Sequence, residues 1–303
     1  MVSIGVKLAK GDGIISTRLE RADNDLIVEE PIMKCYEIKN FCDTQAFLQI
    51  YLRESAYEFA KHDKRPIVLI CPGGGYEWTA DREAEPIALQ FIKAGYQACV
   101  LRYTVRKSKE ESGLKDLPVH EAAAAVAYLR KHAKEYGIDP EKIAVIGCSA
   151  GGHLAASLGT LWSRPDRTGV SAEEGKPNAV VVCYGVLTAF GATHLGSIRN
   201  LTGVNGPSEF DEMYSPDSNV DQFTAPMFIW HTMADDCVPV EGSLKMACAL
   251  QAANVPYALH IFTHGGHGLS LATDEVGGGP TEVKPWFNLL LGWLESMNVG
   301  TGY

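Results

Sequence analysis

The pentapeptide G-C-S-A-G at 147–151 sets two nucleophilic side chains side by side, Cys148 and Ser149. A thiol is intrinsically the better nucleophile, whereas a serine hydroxyl needs a base and an oxyanion site. The flanks choose between them. K-I-A-V-I-G (142–147) reads as a buried strand, and the small residues from Ala150 to Leu161 read as a helix. A G-x-S-x-G turn between strand and helix lifts its central residue out of the sheet, while the residue before it still belongs to the strand. This predicts Ser149 as the nucleophile and Cys148 as a buried neighbour.

A serine nucleophile needs an acid and a histidine, expected in the order Ser, Asp or Glu, His, each on a loop after a strand. H-T-M-A-D-D-C-V-P (231–239) follows the apolar run P-M-F-I-W and offers Asp235 and Asp236. Asp235, three residues before Val238, is the preferred acid. T-H-G-G-H-G-L (263–269) follows Y-A-L-H-I-F. Here His267 is favoured over His264, because Gly266 and Gly268 would let backbone pack close and leave the imidazole in the site. His260 falls within the strand. The spacing of these three histidines does not match a zinc helix: position 261 is not Glu and the context is strand and loop, so no metal is expected. The oxyanion donors should be the N–H of Ala150 and those of a glycine loop early in the sheet. C-P-G-G-G-Y (71–76) fits, with Gly74 and Gly75 as donors. It lacks the G-K-[ST] and G-x-G-x-x-G patterns of phosphate loops. Tyr76 and Trp78, just beyond it, are candidates for walling the acyl site or stacking on a sugar.

These segments need a scaffold. A-F-L-Q-I-Y-L-R (46–53) alternates like an antiparallel strand. P-I-V-L-I-C (66–71), 97–103, 142–147, 179–184, 226–231 and 257–262 read as further strands. Helical spacing covers 82–95, 118–136, 150–161, 241–254 and 285–297. Strands alternating with helices predict an α/β fold with a mostly parallel central sheet flanked by helices. Residues 186–224 are rich in Gly, Ser, Thr, Asn and Pro and read as a small cap or insertion, so one domain is expected over 1–303, with its core at about 44–297.

The 303 residues carry a net charge of −10, which argues against nucleic acid or an anionic membrane as partner. M-V-S-I-G-V-K-L-A-K-G-D-G has no apolar core of a signal peptide, which predicts a cytoplasmic location, and no apolar run approaches a membrane span. The eight cysteines form no C-x-x-C pair and are expected to be reduced and buried.

P-G-G-G-Y (72–76), D-R-E-A-E-P-I-A (81–88), G-C-S-A-G-G-H-L-A (147–155), D-D-C-V-P-V (235–240) and H-G-L-S-L-A (267–272) together resemble the α/β-hydrolase superfamily, and within it bacterial acetyl esterases and xylan acetylesterases. Pro72 stands where related carboxylesterases have the His of H-G-G-G. The resemblance implies a Ser149–His267–Asp235 triad acting through an acyl-enzyme. It also implies no cofactor and a small ester substrate, such as an acetylated sugar or xylo-oligosaccharide. An amidase, formamidase or peptidase-like hydrolase on the same fold is the alternative. A long-chain lipase and a non-catalytic binding protein are more distant ones.

Overall fold

The computed structural model describes residues 33–54, 64–108, 111–205 and 212–302. The readings made for residues 1–13, and the parts of the one-domain and cap readings that fall on 1–32, 55–63, 109–110, 206–211 and 303, lie outside the described residues.

Eight strands form one sheet in the order β1-β2-β4-β3-β5-β6-β7-β8. They are β1 (Met33–Lys39), β2 (Phe47–Arg53), β3 (Arg65–Cys71), β4 (Gln97–Arg102), β5 (Ile138–Cys148), β6 (Ala179–Cys183), β7 (Met227–Thr232) and β8 (Tyr257–Phe262). β2 runs antiparallel to both β1 and β4; every pair from β4 to β8 is parallel. The helices are α1 (Glu85–Lys93), α2 (Leu117–Lys131), α3 (Ala150–Leu161), α4 (Pro165–Thr168), α5 (Ala172–Gly175), α6 (Leu195–Thr202), α7 (Glu241–Ala252) and α8 (Trp286–Ser296).

The central strands are apolar throughout because both faces are covered. Alternate residues divide between two cores. Ile67, Leu69, Val145, Val180 and Ile229 pack with α2, α3 and α7 on one face. Val68, Ile70, Ile146, Val181 and Phe228 pack with α1 and α8 on the other. β1 received no assignment from sequence. Its seven residues alternate exposed and half-buried at the sheet edge, with too little burial to give a strong pattern. Two predicted helices are shorter than expected. A 3-10 turn at Asp81–Glu83 precedes α1, and α2 ends at Lys131, before the turn that reaches Gly137. All eight cysteines are free; Cys71, Cys99, Cys148 and Cys183 are buried as expected, but Cys35, Cys237 and Cys248 are exposed.

The parallel strands bring the loops after β3, β5, β6, β7 and β8 to one end of the sheet. Glycine loop, elbow, acid and histidine therefore meet there, as ligand sites do in open parallel sheets. The stretch between β6 and β7 carries α6 and a 3-10 turn at Pro216–Asn219.

Candidate active site

Ser149 sits between β5 and α3 with φ 54° and ψ −119°, in the left-handed region that a side chain rarely adopts. The turn is possible because its glycines have no side chain. A Cβ on Gly147 would land on the carbonyl of Gly151, and one on Gly151 would land on the carbonyl of Cys71. The backbone N–H of Ser149 donates to the Cys183 carbonyl at 3.0 Å, which ties the elbow to β6. Cys148 pairs in register with Cys183 and is wholly buried. Burial pushes its thiol well above the ordinary cysteine range, and the adjacent thiol of Cys183 adds to the effect. Such a thiol yields almost no thiolate, so it is inert beside the exposed face of the turn.

The imidazole of His267 bridges two partners. Its Nε2 lies 2.8 Å from Ser149 Oγ and its Nδ1 lies 2.8 Å from Asp235 Oδ2. Asp235 is surrounded by donors. The backbone N–H groups of Cys237 and Val238 donate to Oδ1 at 3.0 and 2.9 Å, and His231 Nε2 approaches Oδ2 at 3.2 Å. Burial alone would raise its pKa. The hydrogen bonds from His231 and His267, the nearby charge of His267 and the Val238 N–H outweigh burial and hold the carboxyl far below the usual carboxylate range. An ionised Asp235 fixes the tautomer: Nδ1 of His267 carries the proton, and Nε2 is left to accept from the Ser149 hydroxyl.

Of the alternatives open from sequence, Asp236 is exposed and has no part in this chain. The side chain of His264 is 74% exposed and pairs with Glu282 at 3.1 Å. His260 packs its ring on Phe228. Gly266 does not serve the close approach expected of it, since a Cβ there meets nothing within 4 Å. Gly268 does: it has φ +75°, and a Cβ would strike the guanidinium of Arg82.

Sequence reasoning missed His231. It lies in β7, wholly buried, with Nδ1 2.8 Å from Ser243 Oγ and Nε2 2.9 Å from the Val238 carbonyl. Facing a carbonyl and a carboxylate, Nε2 must carry the proton. The ring is a brace behind Asp235. Its only sequence signal is a polar residue ending an apolar strand, four positions before the acid.

The glycine loop presents two N–H groups. The Gly73 carbonyl accepts from Ala80 N at 3.0 Å, and the Gly74 carbonyl accepts from Glu77 N at 2.9 Å and Trp78 N at 3.2 Å. In a trans peptide the N–H points opposite to the preceding carbonyl. The N–H groups of Gly74 and Gly75 are thus turned away from the loop's own turn, and neither has an acceptor among the described residues. Ala150 opens α3, so its N–H has no partner within the helix. Gly73 approaches the elbow so closely that a Cβ would lie 2.8 Å from that of Ser149. From α6, Asn200 Nδ2 donates to the Gly75 carbonyl at 2.9 Å and holds the loop from the far side.

Tyr76 and Trp78 part company. Trp78 is 58% exposed beside Gly74. Tyr76 is 1% exposed, which corrects the expectation that its ring lines the acyl site. Its hydroxyl lies 2.8 Å from His153 Nδ1, its ring packs edge-on against Tyr103, and His153 Nε2 in turn donates to the Tyr214 carbonyl at 2.8 Å. Burial draws His153 down to about 4 and keeps it neutral. Tyr76 anchors the glycine loop from within. A side chain that sequence did not single out, His194, is instead at the surface of the site. Its Cε1 lies 3.8 Å from where a Cβ of Gly75 would be. Its Nδ1 accepts from Ser197 N at 3.2 Å, so a neutral ring carries its proton on Nε2. Among the described residues, no group of His, Cys, Asp and Glu is arranged to hold a metal ion, and no helix is long and apolar enough to cross a membrane.

An eight-stranded sheet with a serine elbow at the end of β5 defines an α/β hydrolase. A family model described as BD-FAE matches residues 48–250, and the chain belongs to that family. The match takes in Ser149 and Asp235 and ends before His267. Among solved structures, the chain is similar to an acetyl ester-xyloside bifunctional hydrolase from Caldicellulosiruptor lactoaceticus. That similarity is 35% identity with a TM-score of 0.72, over 85% of this chain and 90% of the other. It is also similar to MGS-M1, an α/β hydrolase from a deep-sea metagenome library, at 37% identity and a TM-score of 0.71, over 88% and 98%. Among curated proteins, it is 36% identical over 221 residues to endo-1,4-β-xylanase B of Butyrivibrio fibrisolvens, and 26% identical over 208 residues to an acetylxylan esterase of Xylanibacter ruminicola. The matches cover 71% and 67% of this chain, but only 34% and 40% of those longer proteins.

Proposed function

We propose that this chain is a serine carboxylesterase that removes short acyl groups, foremost acetyl, from hydroxyls of sugars or xylo-oligosaccharides. The observation that carries this reading is the unbroken hydrogen-bonded chain from Asp235 through His267 to Ser149, beside the N–H groups of Gly74, Gly75 and Ala150, which have no acceptor among the described residues. Ser149 Oγ attacks the ester carbonyl and His267 Nε2 takes its proton. The N–H groups receive the oxyanion, and Asp235 stabilises the imidazolium. The tetrahedral adduct then collapses. Its C–O bond to the alcohol breaks, the alcohol oxygen takes the proton from His267, and the acyl group stays on Ser149. Water, deprotonated by His267, attacks the acyl-enzyme, and the acid leaves with Ser149 reprotonated. No metal or organic cofactor enters these steps.

Two features favour a small acyl group on a sugar. Ser149 is only 7% exposed, which leaves little room at the nucleophile. Trp78 offers an open indole face, and His194 an N–H, at the mouth, the pairing suited to a ring rich in hydroxyls. The relatives include an acetylxylan esterase and an acetyl ester-xyloside hydrolase.

The test is a rate series on 4-nitrophenyl esters from acetate to octanoate, with an acetylated xylo-oligosaccharide beside it. The highest kcat/KM is expected on acetate. Trp78→Ala should raise KM on the oligosaccharide by about 5-fold, the worth of one aromatic stacking contact, and alter 4-nitrophenyl acetate hydrolysis little. A rate that climbs with chain length, or amide turnover without ester turnover, contradicts the assignment. Activity should also fall on the acid side, because an imidazolium has no lone pair for the Ser149 proton. A flat profile from about pH 5 to 8 would remove His267 from the role of base.

A further inference from the structure

Glu83 is a buried carboxylate, 2% exposed, that the chemistry above does not use. It stands in a 3-10 turn shortly after the glycine loop, and both its oxygens are engaged. Oε2 accepts from Gly73 N at 2.8 Å, and Oε1 accepts from the Tyr184 hydroxyl at 3.0 Å. The Tyr184 oxygen itself accepts from the N–H of Ser270 at 2.8 Å, so its single proton must go to Glu83. Ser270 lies three residues beyond His267. It donates its hydroxyl to the Arg82 carbonyl at 2.6 Å and accepts from Trp286 Nε1 at 3.1 Å. The Tyr184 ring stands edge-on to His267 with centroids 5.2 Å apart. One carboxylate therefore links the loop that carries the oxyanion donors to the loop that carries the base.

We propose that Glu83 is a positioning residue for the reaction, one that locks the Gly73–Gly75 loop to the His267 loop and sets a second negative charge behind the imidazole. The proposal rests on the hydrolytic reading above. The ionised form serves both bonds at once, since a carboxylate accepts from the Gly73 N–H on one oxygen and from the Tyr184 hydroxyl on the other. Burial raises the pKa of Glu83; the Gly73 N–H, the Tyr184 hydroxyl and the charges of Arg82 and His267 oppose it. The other titratable groups that feel it, Tyr103, Cys148 and Tyr184, are all raised far out of range by burial and stay neutral. Arg82 and a protonated His267 are thus the cationic groups it faces. His267 itself is also faced by Asp235 and His194.

The experiment follows capture of a fluorophosphonate by Ser149, together with kcat, KM and the acid limb of kcat/KM, in wild type, Glu83→Gln and Tyr184→Phe. A circular-dichroism melt shows that each variant is folded. In Glu83→Gln, both kcat and the capture rate should fall by about 30-fold with KM within about twofold, because oxyanion stabilisation is realised in the transition state. Loss of the negative charge disfavours the imidazolium, so the acid limb should move to lower pH by about 0.5 or more. A purely structural glutamate would leave that limb in place. Tyr184→Phe keeps the carboxylate but strands the Ser270 N–H, and should slow capture by about 5-fold. Folded Glu83→Gln with wild-type capture and an unmoved limb overturns the proposal. If Glu83→Gln does not fold, an unchanged rate in Tyr184→Phe overturns it. Wild type that captures no fluorophosphonate overturns instead the hydrolytic reading.

Discussion

Replacing Ser149 with alanine is expected to lower hydrolysis of 4-nitrophenyl acetate by about 10,000-fold or more, since loss of a nucleophile removes the whole acyl-enzyme route. The residual rate would come from the oxyanion donors and binding alone. The same substitution should abolish fluorophosphonate capture while the thermal melt stays close to wild type. Alanine keeps the Cβ and gives up only the hydrogen bond to His267, so the fold of the turn is unchanged. The companion variant is Cys148→Ala. Cys148 points into the sheet against Cys183, and burial holds its thiol protonated. Its removal should leave the rate within about threefold of wild type. Turnover that survives Ser149→Ala and disappears in Cys148→Ala would reverse the assignment of the nucleophile.

Asp235→Asn should cost nearly as much, about 10,000-fold in kcat, for a different reason. Four donors converge on this carboxylate: two backbone N–H groups on one oxygen, and the rings of His231 and His267 on the other. An amide offers a single acceptor oxygen. If that oxygen keeps the backbone donors, the NH2 group faces His267 Nδ1 and favours the tautomer with the proton on Nε2. That tautomer cannot accept from Ser149. The variant should therefore lose kcat with little change in KM, and lose stability because buried donors are stranded. A second consequence concerns acid. The Asp235 pKa is depressed in the folded state, so its contribution to stability is complete above the unfolded value near pH 4. That contribution is lost as pH falls below it toward the folded pKa. Wild type should melt progressively lower from about pH 4 downward, and Asp235→Asn should show a flatter dependence over the same range. Equal slopes for the two proteins would show that the carboxylate is not held in its charged form.

The central strands, the elbow and the chemistry classes were legible in the linear chain for local reasons. Buried parallel strands are continuous apolar runs, so β3, β5, β6 and β7 stand out in sequence. The glycines at 147 and 151 mark a crossing too tight for a side chain, and the order Ser149, Asp235, His267 follows from which strand each loop follows. The edge strand β1 escaped because, among the described residues, one of its sides faces no other strand, so burial imposes only a faint alternation on it. Distinctions between adjacent or similar side chains were tertiary. Asp235 and Asp236 are the same residue type one position apart, and only the donors at Cys237, Val238, His231 and His267 separate them. Tyr76 and Trp78 are both aromatic and both near the glycine loop. A buried histidine on α3 drew one inward, while the other is left exposed among the described residues. His231 carries only a faint local signal, a polar residue at the end of an apolar strand, and Glu83 carries none. Each matters through partners many residues away in the chain, which only the closing of the sheet brings within hydrogen-bond distance. The sequence by itself thus determined which chemistry is available and at which end of the sheet. The tertiary structure decided which of several equivalent side chains is placed for it, because hydrogen-bond direction and burial are properties of the packed chain.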